Sequence, residues 1–354
     1  MSEPDRARPL QRSAWRRRGR FVITALAGLV LLIVLAVVCL FVYPSTRPPA
    51  RTVRLLGTIS VDAPFRFTRA FIDYMTLEGP ALYVAFASHD LVGVIDTRAK
   101  RGTGAVSGLP RVHGIAVLPE LNLAFSSNGG DNTVGILDLA HQRLVKKIPG
   151  GVDPDAILYD AKVRLIYVAD HDGKTATLLD PASGSVVATI ALRGEPEFCQ
   201  ADPDSGLVYQ NLQDTSEVVV VDPVKRAVVR RHKLDPGQGP TGLAFDAGHH
   251  RLFAATGNRK LVVLNSETGE LLAVLPIGLG VDGAAYDPEL RRIYTANGLG
   301  SMTVIRQDSP DHYRVLEDAP TRFGGHSLVV DPVTHLIYIA YFGSVAIYEP
   351  VLGE

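Results

Sequence analysis

The sequence predicts an all-β chain, a seven-bladed β-propeller preceded by one N-terminal transmembrane helix, and three observations lead there. A pattern of short apolar runs returns seven times, two separate columns of residues keep a common interval, and the first fifty residues have a composition of their own. Repeats come before motifs, because a missed repeat misassigns the whole fold.

In the third copy the runs are DAILYD, LIYVA, TATLLD and SVVATIAL, separated by AKVR, DHDGK and PASG. They are short, rich in Val, Ile, Leu, Tyr and Thr, and bounded by turn residues, which marks strands rather than helices. The third run ends at Asp180, matched by Asp96, Asp138, Asp222, Asn265, Gln307 and Glu349 at intervals of 42 or 43 residues. The second run carries an aromatic at Tyr167, matched by Tyr83, Phe125, Tyr209, Phe253, Tyr294 and Tyr338. Four strands in each of seven such units is the pattern of a propeller, whose sheets bury their faces against one another. The units fill residues 55–350 and leave no room for a second domain.

Between the first and second runs stand DPDSG, DAGHH, DPEL and DPVTH. Asp followed by Pro or Gly is turn chemistry, because Pro presets φ and the Asp carboxylate caps nearby amides. The last unit stops after three strands, whereas residues 53–62, VRLLGTISVD, resemble fourth strands such as LLAVLPIGLGVD. That segment is expected to complete the seventh blade and remove an open sheet edge. The propeller is thus expected over residues 53–354.

Phe21 to Tyr43 is 23 residues without a charge, enough at about 1.5 Å per residue to span a hydrocarbon core of about 30 Å. Residues 1–20 hold seven arginines against Glu3 and Asp5, a net +5. By the positive-inside rule this tail stays in the cytoplasm, and the chain is expected to be a single-pass protein of the cytoplasmic membrane with its propeller outside the cytoplasm. The apolar run exceeds that of a cleaved signal peptide, and residues 44–52 read as a Pro-rich stalk.

Residues 21–354 carry −6, because the whole chain has −1. This balance argues against a nucleic-acid groove, which needs clustered Lys and Arg. The two cysteines, Cys39 in the anchor and Cys199 in an apolar run, form no plausible disulfide, and without CxxCH there is no covalent c-type haem. Phosphate-binding loops, GxSxG and HExxH are also absent.

Tyr83-Val84-Ala85, Tyr167-Val168-Ala169-Asp170 and Tyr294-Thr295-Ala296-Asn297 resemble the YVTN repeat of bacterial and archaeal propellers, a family that includes surface-layer and YncE-like proteins. The resemblance implies an extracytoplasmic binding or surface protein. Related propellers carry cofactors or lyase sites, and fold alone does not select among these.

In a propeller the loops joining strand d to the next strand a, and strand b to strand c, emerge on one face. Here these loops vary while the opposite turns are regular, and variable loops on a rigid frame are where sites are built. The residue before strand a is expected at the channel mouth, and the seven copies read Arg69, His113, Asp155, Glu197, Thr241, Asp282 and His326. Such a ring offers ligands or acid–base groups, whereas a water-filled mouth needs polar residues in any case. A second set lies in the b–c loops: His89, Asp90, Asp131, Asp170, His171 and Asp172. The loop reading outweighs a site there, because tight turns require Asn, Asp and Gly at these places.

The function expected is binding or scaffolding of a small ligand or protein partner in the cell envelope, with no catalytic residue assigned and neither cofactor nor metal specified. The rival is a periplasmic enzyme or a cofactor- or metal-carrying propeller that uses the same mouth.

Overall fold

Strands b and c of each repeat are apolar on both faces because each sheet is sandwiched between two others. The computed structural model, which describes residues 48–60 and 71–353, contains seven four-stranded antiparallel sheets. In blade three, strand a is Pro154–Asp160, b is Leu165–Asp170, c is Thr175–Asp180 and d is Ser185–Ala191. Ile166, Val168, Leu178 and Leu179 are fully buried, whereas strand d is largely accessible. Blade three packs on blade four through Tyr167, Ala169, Leu178, Cys199, Val208 and Val219. Burial of such a side chain stabilises by roughly 1.5–3 kcal/mol, and the repeat multiplies that gain around the ring.

The turn aspartates cap their own hairpins. Asp160 accepts the amides of Lys162 and Val163 at 2.9 and 3.3 Å, and Asp287 those of Glu289 and Leu290 at 3.1 and 3.0 Å. Asp96 and Asp180 do the same between strands c and d.

The chain closes on itself. Val53–Ser60 pairs antiparallel with Ser344–Pro350, from Val53 opposite Pro350 to Ser60 opposite Ser344, and becomes the outer strand of blade seven. Glu317 of blade six accepts the Thr52 amide and hydroxyl at 2.9 and 2.8 Å. Arg292, also in blade six and buried, donates to the Thr52 and Val351 carbonyls at 3.3 and 3.0 Å. Thr52 and Val351, which flank the two paired strands, are therefore tied to the preceding blade.

Two β-bulges recur, and one of them prepares the mouth. Regular pairing between strands a and b breaks after Val112, Pro154, Pro196, Pro240 and Val281. In each case the next residue is His113, Asp155, Glu197, Thr241 or Asp282. A bulge bends its strand and re-aims a side chain.

Blade one corrects the expected ring. The Asp73 amide donates to Ala85, whose amide donates to Tyr74, as the His326 amide donates to Ala340, whose amide donates to Ser327. The blade-one ring position is thus Asp73 and not Arg69, which lies outside the described residues. The a–b turn accounts for two of the four residues between them: Gly79 and Pro80 alone join Met75–Glu78 to Ala81–Phe86, whereas four residues serve in blade three.

Among the described residues no helix is long and apolar enough to cross a membrane. The expected anchor, residues 21–43, lies outside them.

Candidate mouth site

The ring side chains stand at the entrance of strand a: Met75–Glu78, Val112–Leu118, Pro154–Asp160, Pro196–Ala201, Pro240–Asp246, Val281–Asp287 and Leu328–Val330. Neighbouring blades hold their backbones. Ser327 Oγ donates to the Asp73 carbonyl and Ser127 Oγ to that of Asp155, while Asn211 Nδ2 reaches the Gly242 carbonyl at 3.0 Å. Gly114, next to His113, permits the close approach of blade three, since a Cβ there would lie 2.9 Å from Ile157 Cγ2.

Three ring members converge. His113 Nδ1 lies 2.5 Å from Asp73 Oδ2 and 3.4 Å from Asp155 Oδ1. On its other side Nε2 lies 3.7 Å from Asp153 Oδ1 and 3.1 Å from Arg111 Nε, and Arg111 Nη2 pairs with Asp153. Burial alone would lower the His113 pKa, but the hydrogen bond to Asp73 and the charges of Asp155, Asp73 and Asp153 raise it above the ordinary imidazole value. Burial, then the charges of Asp73 and Glu197, push the Asp155 carboxyl well above the usual range, against the opposing pull of His113 and His171. Tyr74 OH lies 3.5 Å from Asp155 Oδ2, and burial followed by the same carboxylates raises its phenol.

The remaining members divide by role. Glu197 Oε1 lies 3.5 Å from His171 Nε2, and the interaction with Glu197, reinforced by Asp172 against the cost of burial, raises His171 to about 9. The Asp-His-Asp loop therefore contributes its histidine to the ring. Asp282 pairs with His326 Nδ1, and the His326 ring sits 4.7 Å from that of Phe71. Burial lowers the His326 pKa despite Asp73 and Glu197. Thr241 Oγ1 donates to the Val281 carbonyl at 3.0 Å and ties blade five to blade six.

The b–c loop residues are mostly committed to local structure. Asp170 is fully buried and accepts the Gly151 amide at 3.1 Å and the Thr175 and Thr177 hydroxyls at 2.9 and 2.8 Å. Asp90 accepts the Arg111 amide at 2.8 Å, and Asp131 accepts Thr133 and Lys147 at 2.6 and 2.8 Å. His89 Nδ1 meets Ser88 Oγ at 3.0 Å, and Asp172 is an exposed partner of His171 Nδ1 at 3.1 Å.

Sequence reasoning missed Asp73, Tyr74, Arg111 and Asp153. The last two had a readable signal, since Arg111, Asp153 and Glu195 each stand two residues before a ring member. Arg111 and Asp153 adopt positive φ, 48° and 56°, which turns each chain into its bulged strand.

A cavity of about 670 Å³ opens along strand a of blades one to four, lined by Tyr74, Gly114, Ala156 and Cys199 among others. The Cys199 thiol is buried, and burial raises its pKa, which makes it an inert packing group rather than a nucleophile.

No family model and no curated protein matches the sequence. Among solved structures the chain is similar to "Kuenenia stuttgartiensis Hydrazine Synthase", with a TM-score of 0.71 and 16% identity over 83% of this chain and 99% of that one. It is similar also to the WD40 repeats of RRP9, with a TM-score of 0.71 and 11% identity over 86% of this chain and 99% of that one. At such identities the likeness establishes a WD40-like β-propeller and nothing about ligand or chemistry.

Proposed function

We propose that this propeller is a YVTN-type binding module, anchored in the cytoplasmic membrane by residues 21–43 and presenting its d–a and b–c loop face to a ligand or protein partner outside the cytoplasm. The observation that carries the reading is the use made of charge at the two ends. Turn-face aspartates are consumed by their own turns, as at Asp202 and Asp331, each of which accepts two backbone amides and a hydroxyl. At the mouth, Asp73, His113, Asp155, His171 and Glu197 face one another across blades instead. Convergent polar groups at one end of a rigid frame are what a recognition site requires. The anchor rests on the apolar run and the +5 tail.

The test is site-specific photocrosslinking in the native host. Probes near the mouth, at Asp172 and Glu195, are expected to give discrete adducts that disappear in Glu197→Lys, whereas probes at Val224 and Val333 on the turns give none. Adducts confined to the turn probes would refute the face assignment. Removal of residues 21–43 should move the protein from the membrane to the soluble fraction; retention on the membrane would overturn the anchor.

A further inference from the structure

We propose that Asp73, His113 and Asp155 bind one divalent transition-metal ion at the channel mouth. The inference deepens the binding reading of that face and rests on it. Their ligand atoms all lie within 4.8 Å of one another, and each comes from a different blade. Asp73 and Asp155 are each 7% exposed, so the two carboxylates share a poorly hydrated space.

The hydrogen-bond accounting there does not close. His113 Nδ1 carries at most one proton, yet two carboxylates face it, and the 2.5 Å contact goes to Asp73. Among the described residues the oxygens of Asp155 are left with His113 Nδ1 at 3.4 Å and Tyr74 OH at 3.5 Å. Both separations exceed the roughly 2.5–3.2 Å of a formed hydrogen bond. Asp170, buried in the same blade, has three donors at 2.8 to 3.1 Å. A buried carboxylate without short donors, beside a second carboxylate and an imidazole, lacks a cation.

The donor set selects the ion. Calcium and magnesium take oxygen ligands, whereas an imidazole with two carboxylates suits zinc, manganese, iron or cobalt. Ligands about 2.0–2.2 Å from such an ion lie roughly 3–4.4 Å apart, so His113 Nδ1 and Asp73 Oδ2, now 2.5 Å apart, open slightly to admit it while the wider pairs draw in. Three protein ligands leave positions open toward the mouth for a bound molecule.

The surroundings fit as well. A metal-ligating histidine commonly directs its second N–H to a carboxylate, which fixes its tautomer. With the metal on Nδ1, His113 Nε2 becomes that donor, and Asp153 Oδ1 stands 3.7 Å away. Arg111, now 3.1 Å from Nε2, would release the ring and keep its pairing with Asp153.

The experiment is calorimetric titration of the purified, chelator-treated full-length chain with Mn²⁺, Zn²⁺ and Ca²⁺, alongside visible absorption with Co²⁺. One ion per chain is expected, with Zn²⁺ or Mn²⁺ held at least about tenfold tighter than Ca²⁺. Asp155→Asn and Asp73→Asn should each weaken binding about tenfold or more, His113→Gln should abolish the Co²⁺ bands, and Asp172→Asn should change nothing. Thermal melts establish that each variant is folded, and the Co²⁺ bands of the unmodified chain read out nitrogen ligation independently of any variant. Absent stoichiometric binding, a preference for Ca²⁺, or undiminished binding in folded Asp155→Asn would overturn the proposal. If no metal binds while Glu197→Lys still removes the crosslinked partner, the mouth remains a binding face without an ion; if both fail, the binding reading fails with it.

Discussion

The two ends of the propeller use the same residue types to opposite ends. At the turn face Asp331 accepts the amides of Val333 and Thr334 at 2.9 and 3.3 Å and the Thr334 hydroxyl at 2.7 Å, so its charge is matched by donors from its own turn. At the mouth Asp155 faces Asp73, Glu197 and one shared imidazole nitrogen, and its charge is opposed as much as matched. The lesson is that an aspartate signals chemistry through the partners it lacks. A carboxylate with three donors is architecture, wherever it lies on the surface.

The most severe test of the comparison removes the frame that both ends share. Deleting residues 53–60 strips the outer strand from blade seven and leaves Ser344–Pro350 without its partner. Because an exposed edge and an opened ring follow, the cooperative unfolding transition is expected to vanish, as measured by chemical denaturation. A chain lacking that strand that melted like the intact protein would show that closure is dispensable.

Asp170 offers the next largest effect. Burial raises its pKa from 3.8 to about 6, against the lowering effect of Thr177, Thr175 and Gly151. Because the folded value lies above the unfolded one, the native chain binds the extra proton, so this contribution is fully present below about pH 4 and lost as pH rises through about 6. Asp170→Asn, the residue used at the equivalent places Asn128 and Asn297, should abolish that slope. It should raise stability at pH 7–8 by about 3 kcal/mol, read from denaturant midpoints. An unchanged slope would mean that the three donors fully offset the burial.

Smaller effects of opposite sign sharpen the contrast. Asp287→Ala orphans two amides of its turn and is expected to cost about 1–2 kcal/mol. Asp155→Asn in metal-free protein removes a charge held beside Asp73 and Glu197 and should stabilise by about 1 kcal/mol. Equal destabilisation by both would erase the distinction between the two ends. Asp172→Ala, an exposed loop partner of His171, should fall within about 0.5 kcal/mol of the parent in thermal melts.

Much of the architecture was legible because propeller repetition is periodic. The columns ending at Asp180 and centred on Tyr167 mark strands c and b in every blade, and VRLLGTISVD resembles a fourth strand because it is one. The ring was legible in six blades, where twelve residues separate ring member from aromatic, as in His113 to Phe125. It failed in blade one, where only ten residues separate Asp73 from Tyr83 because the Gly79-Pro80 turn is two residues shorter than the four-residue turn of blade three, and Arg69 lies two residues before even the twelve-residue position, Phe71.

By itself the sequence determined the blade count, the strand order, the closing strand and the class of residue at the mouth, since each depends on local pattern and regular spacing. The tertiary structure alone decided who meets whom: Asp73 with His113, His113 with Asp155, His171 with Glu197. The physical reason is that these contacts join residues 26 to 42 positions apart across blade boundaries. Their separations are set by bulges at the start of strand a and by the diameter of the closed ring, neither of which local composition encodes.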